Sequence, residues 1–522
     1  MTEEKPQLNE STRTTPSRTI EFLQRYRLAA IVLGFILLFV FYVDGLSTNP
    51  PGFYVDESAI AYNAYCIART GANEFGTSFP LFFPVYTRGW TQYANPTQIY
   101  LLALPFTILR PSILLARVYA ASWVFGACLL LGLLAWKITR KEVIGLLVAL
   151  TAIFTPWLFD VSRLVMETFF YPMAIVLFLL ALYAAQKKEN WSWLNVLALA
   201  VTLALLTYSY TIGRLLGPLM AGGLVLFINS QTRLASVARA WGAYALTLLP
   251  LLIYRSQHPE ALTQRFYLIS YIKPDSPWSL IIPKFIRRYL EDFSLISLLL
   301  DGDGNPRHHM TNTLGSFLIA AFVLVLIGLG VIIVRYWRDA WWRFIIFGAA
   351  VSVIPGALTA DQFHSLRIVA YPVFLLVLTI PAFQFLLEQT QATRERALST
   401  SARQIILAIL LAGMVVQIFY FQKVYRREGP TRGWVFDAAY KDAYDAAMKQ
   451  PQRPIYLSDG IQPAYEHALW YATIEGRRLD EFVHLDEGVH APSGAYVIGS
   501  QPDCTYCNVI LKSGDYVFYR SP

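Results

Sequence analysis

Asp56 and Glu57 form an adjacent carboxylate pair in YVDESAIAYNAYCIA, just beyond the first apolar stretch of a 522-residue chain. Two carboxylates held at a bilayer surface, followed by aromatic and small residues, suit proton abstraction from a substrate delivered by the membrane. An ionisable pair in such a place is a functional hypothesis by default. The competing reading is a solvated loop with an ordinary acidic dipeptide, and for an isolated pair that reading would win.

Other segments shift the balance. In FDVSRLVMETFFYP, Asp160, Arg163 and Glu167 fall at i, i+3 and i+7, so a helix through this stretch puts them on one face. The plainer alternative is an Arg163–Glu167 ion pair that braces two helices. In TYSYTIGRLLGP, Arg214 stands among Tyr208 and Tyr210, where an arginine also snorkels to the interface. LLDGDGNPRHHMTNTLG supplies turns at Gly302, Gly304 and Pro306, then Arg307, His308 and His309. Guanidinium and imidazole donors on such a loop suit a phosphate or pyrophosphate. A plain loop ranks second and a metal site on the two histidines with Asp301 and Asp303 third, because neighbouring histidines chelate one ion poorly. PGALTADQFHSLRIVAYP places His364 and Arg367 one helical turn apart.

These residues must be positioned by a membrane scaffold. Hydrophobic residues make up 55% of the chain and the mean hydropathy is +0.43, which leaves little room for a large soluble body. A spanning helix needs roughly 20 mainly apolar residues. About eleven spans are expected, near 28–44, 117–136, 143–159, 169–186, 193–210, 213–229, 238–254, 314–334, 344–358, 368–387 and 404–421. Thr97–Leu109 is short and Pro-interrupted, so it reads as an interfacial or re-entrant helix. The first span lacks a small-residue cleavage site and reads as a retained signal anchor.

Short-loop lysines and arginines favour the cytoplasm. Arg25/Arg27, Lys137/Arg140/Lys141, Lys187/Lys188, Arg233/Arg239, Arg335/Arg338/Arg343 and Arg394/Arg396/Arg403 all fall on one side of this topology. That leaves Asp56, Asp160, Arg214, the loops at about 45–116 and 255–312, and the tail outside. Much of the net charge of +8 is this bias, and no nucleic-acid partner is called for. The outer loop 255–312 is basic as well, through Arg255, Arg265, Lys273, Lys284, Arg287, Arg288 and Arg307, which suits an anionic lipid head group.

Four regions follow: a cytoplasmic tail over 1–27, a membrane domain over 28–421, a basic linker over 422–433, and a soluble extracytoplasmic α/β domain over 434–522. In the last, AAYKDAYDAAMKQ and AYEHALWYATIEG read as helices, while PIYLSDG, GAYVIGS and GDYVFYR read as strands, the last two separated by Asn508–Lys512. Four cysteines make no disulfide framework. Cys504 and Cys507 form a CxxC best read as a local disulfide in an oxidising compartment.

The order of these motifs resembles the GT-C superfamily of glycosyltransferases, in its family 39 type, which includes protein O-mannosyltransferases and aminoarabinose lipid A transferases. The resemblance rests on YVDESAIAYNAYCIA, SRLVMETFF, YSYTIGRLLGP, GDGNPRHH and HSLRIVAYP, and covers most of the membrane domain. It implies an all-α polytopic GT-C fold and a polyprenyl-phosphate-sugar donor. Asp56 matches the catalytic carboxylate, with Glu57 as its tuning neighbour. Asp160 or Glu167 matches a second acidic position. Arg163, Arg214, Arg307, His308, His364 and Arg367 are then the residues for the departing lipid phosphate, and single displacement with inversion is expected. No metal ligand set is assigned; a divalent cation stays open, since the superfamily differs on metal use.

The expected protein is a multi-pass enzyme of the cytoplasmic membrane that glycosylates a lipid, glycan or protein acceptor outside it. Two rivals are a lipid-linked saccharide flippase, which would carry inverted repeats and mid-membrane charges, and a non-catalytic glycan- or lipid-binding subunit.

Overall fold

A computed structural model describes residues 18–86, 92–310, 314–388, 399–459, 463–486, 488–500 and 506–522. Arg394, Arg396, Cys504 and the tail to residue 17 lie outside the described residues. Contacts divide the chain into two units, Met1–Gly45 and Leu46–Pro522. The first holds α1 (Arg18–Val43), whose apolar stretch is Ala29–Val43.

The second unit opens with α2 (Val55–Thr70), the hairpin of β1 (Phe83–Val85) and β2 (Gln92–Ala94), and α3 (Pro96–Phe106). At 11 residues α3 is too short to cross a bilayer. Then follow α4 (Ile113–Thr139), α5 (Glu142–Ile153), α6 (Pro156–Ser162), α7 (Tyr171–Gln186), α8 (Trp193–Ser209), α9 (Gly213–Gly223), α10 (Gln231–Thr247) and α11 (Leu249–Gln257). Two helices of the loop 255–312 come next, α12 (Gln264–Ile269) and α13 (Trp278–Glu291). The membrane region closes with α14 (Ile319–Val331), α15 (Ala340–Val351), α16 (Ile354–Ala357), α17 (Tyr371–Leu387) and α18 (Thr400–Glu428).

All eleven predicted spans fall on these helices. Among the described residues, five helical stretches are long and apolar enough alone: Ile113–Thr139, Gln231–Gln257, Ile319–Tyr336, Ala340–Ala357 and Thr400–Thr431. The α5–α6 pair makes a sixth, bent by 61° at the Thr155–Pro156 break, where proline has no N–H for an α-helical bond. Shorter apolar helices cover the remaining five. The chain is a multi-pass membrane protein. Its core is built from α4 on α5, α7 on α8 and α14 on α17, with α17 buried along nearly its whole length.

One expectation fails locally. The helix foreseen across FDVSRLVMETFFYP ends at Ser162, so Asp160, Arg163 and Glu167 do not share a helical face. The amide of Val165 instead donates to Glu57 Oε1 at 3.1 Å, which commits this backbone to a long-range bond.

After α18 come α19 (Ala438–Met448), β3 (Ile455–Ser458), α20 (Tyr465–Glu475), β4 (Phe482–His484), β5 (Tyr496–Gly499), β6 (Asn508–Ser513) and β7 (Tyr516–Arg520). The sheet order is β4-β3-β5-β7-β6, with β3 parallel to β4 and β5, and β7 antiparallel to β5 and β6. Tyr440, Tyr444, Tyr471, Phe482 and Phe518 fill the space between helices and sheet. Asn508–Lys512, read from sequence as a spacer, belongs to the edge strand β6, where Val509 and Ile510 are exposed. Cys507 is disulfide-bonded. The tail is not a separate unit: α20 packs on α2, and Trp470 stacks on Phe53 and Phe106 at 5.7 and 5.9 Å between ring centroids.

Candidate active site

Six segments far apart in sequence enclose a cavity of about 560 Å³. The start of α2 brings Tyr54 and Asp56, and the end of β1 brings Tyr86. The stretch before α7 brings Glu167, and α9 brings Arg214. From the loop 255–312 come Arg265 on α12, then Arg307 and His308, and from the stretch after α16 come His364 and Arg367. Seven of the ten residues named from the sequence therefore meet here. Glu57, Asp160 and Arg163 do not.

Successive helical residues project about 100° apart, so Asp56 and Glu57 face different surroundings. Asp56 looks into the cavity, where the Tyr86 hydroxyl donates to its Oδ1. Glu57 is fully buried and pairs with Arg117 of α4, with Nη2 3.0 Å from Oε2 and Nε 3.3 Å from Oε1. Glu57 also accepts the Tyr54 amide at 3.0 Å, which caps α2. Arg117 further donates to Pro50 and Gly52 carbonyls at 2.6 and 2.8 Å. Every strong partner of Glu57 is thus internal, and its role here is to clamp the loop that presents Asp56.

Asp160 is likewise committed elsewhere. His309 Nδ1 lies 2.6 Å from its Oδ2, and His309 Nε2 lies 2.6 Å from the Leu314 carbonyl. Burial opposes charge on His309, but the Asp160 contact outweighs it and raises its pKa. Gly302, at φ 74°, leaves room for this ring: a Cβ there would sit 2.0 Å from His309 Cδ2. The Arg163 guanidinium lies against the rings of Phe159 and Tyr425, at 4.1 and 5.6 Å, an aromatic sandwich rather than a phosphate grip.

Glu167 lines the cavity with one oxygen engaged: Oε1 accepts the Asn95 amide at 2.6 Å and its Nδ2 at 3.0 Å. Asn95 Oδ1 in turn accepts Arg214 Nη2 at 3.1 Å. Arg307 donates through Nε to the Val435 carbonyl at 2.8 Å and lies over Tyr54. Arg367 donates to Thr359 Oγ1 at 2.8 Å and Asp361 Oδ2 at 2.6 Å. Arg265 makes no ion pair or hydrogen bond among the described residues; burial opposes its charge, while Glu167 and Asp56 hold it protonated. From sequence Arg265 stood out only as one of several basic loop residues. Tyr86 gave no signal at all, because its importance lies in a contact 30 residues away.

Asp303, His308 and His364 each offer a ligand atom within 4.8 Å of the others. Both Asp303 oxygens are already in use: Oδ1 accepts the Asn305 amide, and Oδ2 meets the Ser365 amide, the Ser365 hydroxyl and His308 Nδ1, all at 2.7–2.9 Å. Despite burial, His308 holds the Asp303 carboxyl far below the ordinary range. Burial, His308 and Arg367 push His364 well below the usual imidazole pKa, so it is neutral at pH 7. The carboxylate is saturated and arginines stand alongside, so the trio reads as a network that orients His308 rather than as a cation site.

The crystal structure of ArnT from Cupriavidus metallidurans in the apo state matches with a TM-score of 0.57 at 12% identity, over 95% of this chain and 98% of that one. The fold is the GT-C fold. ArnT bound to undecaprenyl phosphate matches with a TM-score of 0.56 at 11% identity, over 94% and 98%. Archaeal oligosaccharyltransferase AglB from Archaeoglobus fulgidus, in complex with an inhibitory peptide and a dolichol-phosphate, matches with a TM-score of 0.51 at 13% identity, over 87% of this chain and 64% of AglB. No protein-family model and no curated protein sequence matches the chain.

Proposed function

We propose that this protein is an inverting membrane glycosyltransferase that moves a sugar from a polyprenyl-phosphate carrier to an acceptor hydroxyl on the extracytoplasmic face. The observation that carries the reading is one cavity holding a carboxylate, Asp56, together with Arg214, Arg265, Arg307 and Arg367. Asp56 takes the acceptor proton as the acceptor oxygen bonds to C1 of the sugar. The C1–O bond to the carrier breaks, and its electron pair leaves on the phosphate. Arginines neutralise that departing anion, which is where charge develops and where preorganised cations lower the barrier most. Arg265 is the first candidate for this grip, since the described residues offer it no competing ion pair. The likeness of fold to ArnT, whose structure holds undecaprenyl phosphate, supports a lipid phosphate as the anion.

The test is transfer from undecaprenyl-phosphate-linked sugars by the full-length chain in nanodiscs. Asp56→Asn is expected to lose activity on the order of 10²-fold or more while still binding undecaprenyl phosphate. Turnover retained in that variant removes the assignment.

A further inference from the structure

We propose that the segment after Gly433 belongs to the catalytic apparatus, with Glu466 and the Asp437–His467 pair as positioning residues that aim Tyr86 and Asp56 into the cavity. The inference rests on the reading of Asp56 as the base.

Three contacts carry it, each between residues about 400 positions apart. The Val55 amide opens α2 and has no partner within the helix; it donates to Asp437 Oδ2 at 3.1 Å. That places a carboxylate at the N-terminal end of the helix bearing Asp56, where negative charge is stabilised. His467 Nε2 lies 3.3 Å from the same Asp437 oxygen, and its Nδ1 lies 2.9 Å from Ser58 Oγ. With the ring proton on Nε2, the hydroxyl of Ser58 donates to Nδ1. The first turn of α2 is thereby fastened on both sides of Asp56.

The third contact acts on Tyr86. Its backbone is left-handed, with φ at 64°, a conformation that a bulky residue keeps only where the surroundings impose it. Glu466 imposes it by accepting the Tyr86 amide through Oε1 at 2.9 Å. The hydroxyl of the same tyrosine donates to Asp56 Oδ1, which leaves Oδ2 for the acceptor. None of Asp437, Glu466 and His467 lines the cavity, so each acts through another residue. Burial, with Glu74 and Asp459 nearby, raises the Glu466 pKa well above the carboxylate range. It is therefore neutral, and a glutamine keeps the accepting oxygen.

The experiment compares Glu466→Gln, Glu466→Leu and His467→Ala in the full-length protein in nanodiscs. Three readouts apply: kcat and donor KM with undecaprenyl-phosphate hexoses, binding of undecaprenyl phosphate, and hydrogen exchange of the Tyr86 amide. The expected result is near-normal kcat and a protected amide in Glu466→Gln. In Glu466→Leu and His467→Ala, kcat falls on the order of 10- to 100-fold, with donor KM within about twofold and lipid binding kept; in Glu466→Leu the amide also exchanges faster. Normal kcat in both Glu466→Leu and His467→Ala overturns the proposal, as does an equal loss in Glu466→Gln and Glu466→Leu. Loss of lipid binding in both damaging variants overturns it too, because the contacts then serve folding rather than aim. Turnover surviving in Asp56→Asn defeats the functional reading itself. An inactive Asp56→Asn beside fully active tail variants defeats only this inference.

Discussion

Arg117 and Glu57 lie 3.0 Å apart with both side chains entirely shielded from solvent. Removing one partner strands a charge, which costs about 3–5 kcal/mol. Glu57→Ala is therefore expected to lower the melting temperature of the purified protein sharply and to reduce its yield. The Glu57→Leu/Arg117→Met pair should be less damaging than the sum of the single changes. A melt of Glu57→Ala indistinguishable from wild type would show that the clamp contributes nothing.

Arg265→Gln should weaken donor binding more than it affects folding. Loss of one charge-assisted contact to phosphate amounts to about 1.5–3 kcal/mol, or roughly 10- to 100-fold in donor KM. Lysine should restore only part of it, since a point charge does not reproduce the guanidinium fork. Titration of undecaprenyl phosphate measures the effect directly; unchanged affinity in Arg265→Gln would exclude this residue from the lipid phosphate.

Tyr86→Phe keeps the ring and removes only the hydroxyl donated to Asp56. A fall in kcat of about tenfold is expected, the order of one misaligned catalytic contact, with unchanged donor KM. Steady-state kinetics at saturating donor decide it, and an unchanged kcat would show that Asp56 needs no such partner.

Glu74 links α2 to the tail: its Oε1 accepts Asn63 Nδ2 at 3.0 Å and its Oε2 accepts the Tyr465 hydroxyl at 3.1 Å. Burial pushes its pKa up from 4.5 to about 7 against these two bonds. The folded protein thus holds a proton that the unfolded chain has released, and the associated stability is complete below about pH 4.5 and is lost as pH rises through about 7. Glu74→Gln should flatten that slope. Thermal melts between pH 4 and pH 8 test it, and identical slopes for the two proteins would refute it.

The scaffold was readable from the chain because each span announces itself locally, through length and hydropathy. The convergence of Asp56, Glu167, Arg214, Arg307, His308, His364 and Arg367 was readable because a bilayer reduces the problem to choosing a side. Distinguishing Asp56 from Glu57 was not. Both are acidic residues on one helical turn, and only the buried Arg117, 60 residues on, separates their roles. Tyr86 was hidden for the same reason, as were Asp437, Glu466 and His467. Their significance resides in pairings that no local pattern encodes.

The bare Cα of Gly302 carries a consequence for the buried ion pair behind the cavity. A methyl group there would stand 2.0 Å from His309 Cδ2, so alanine at this position has to displace the imidazole that meets Asp160.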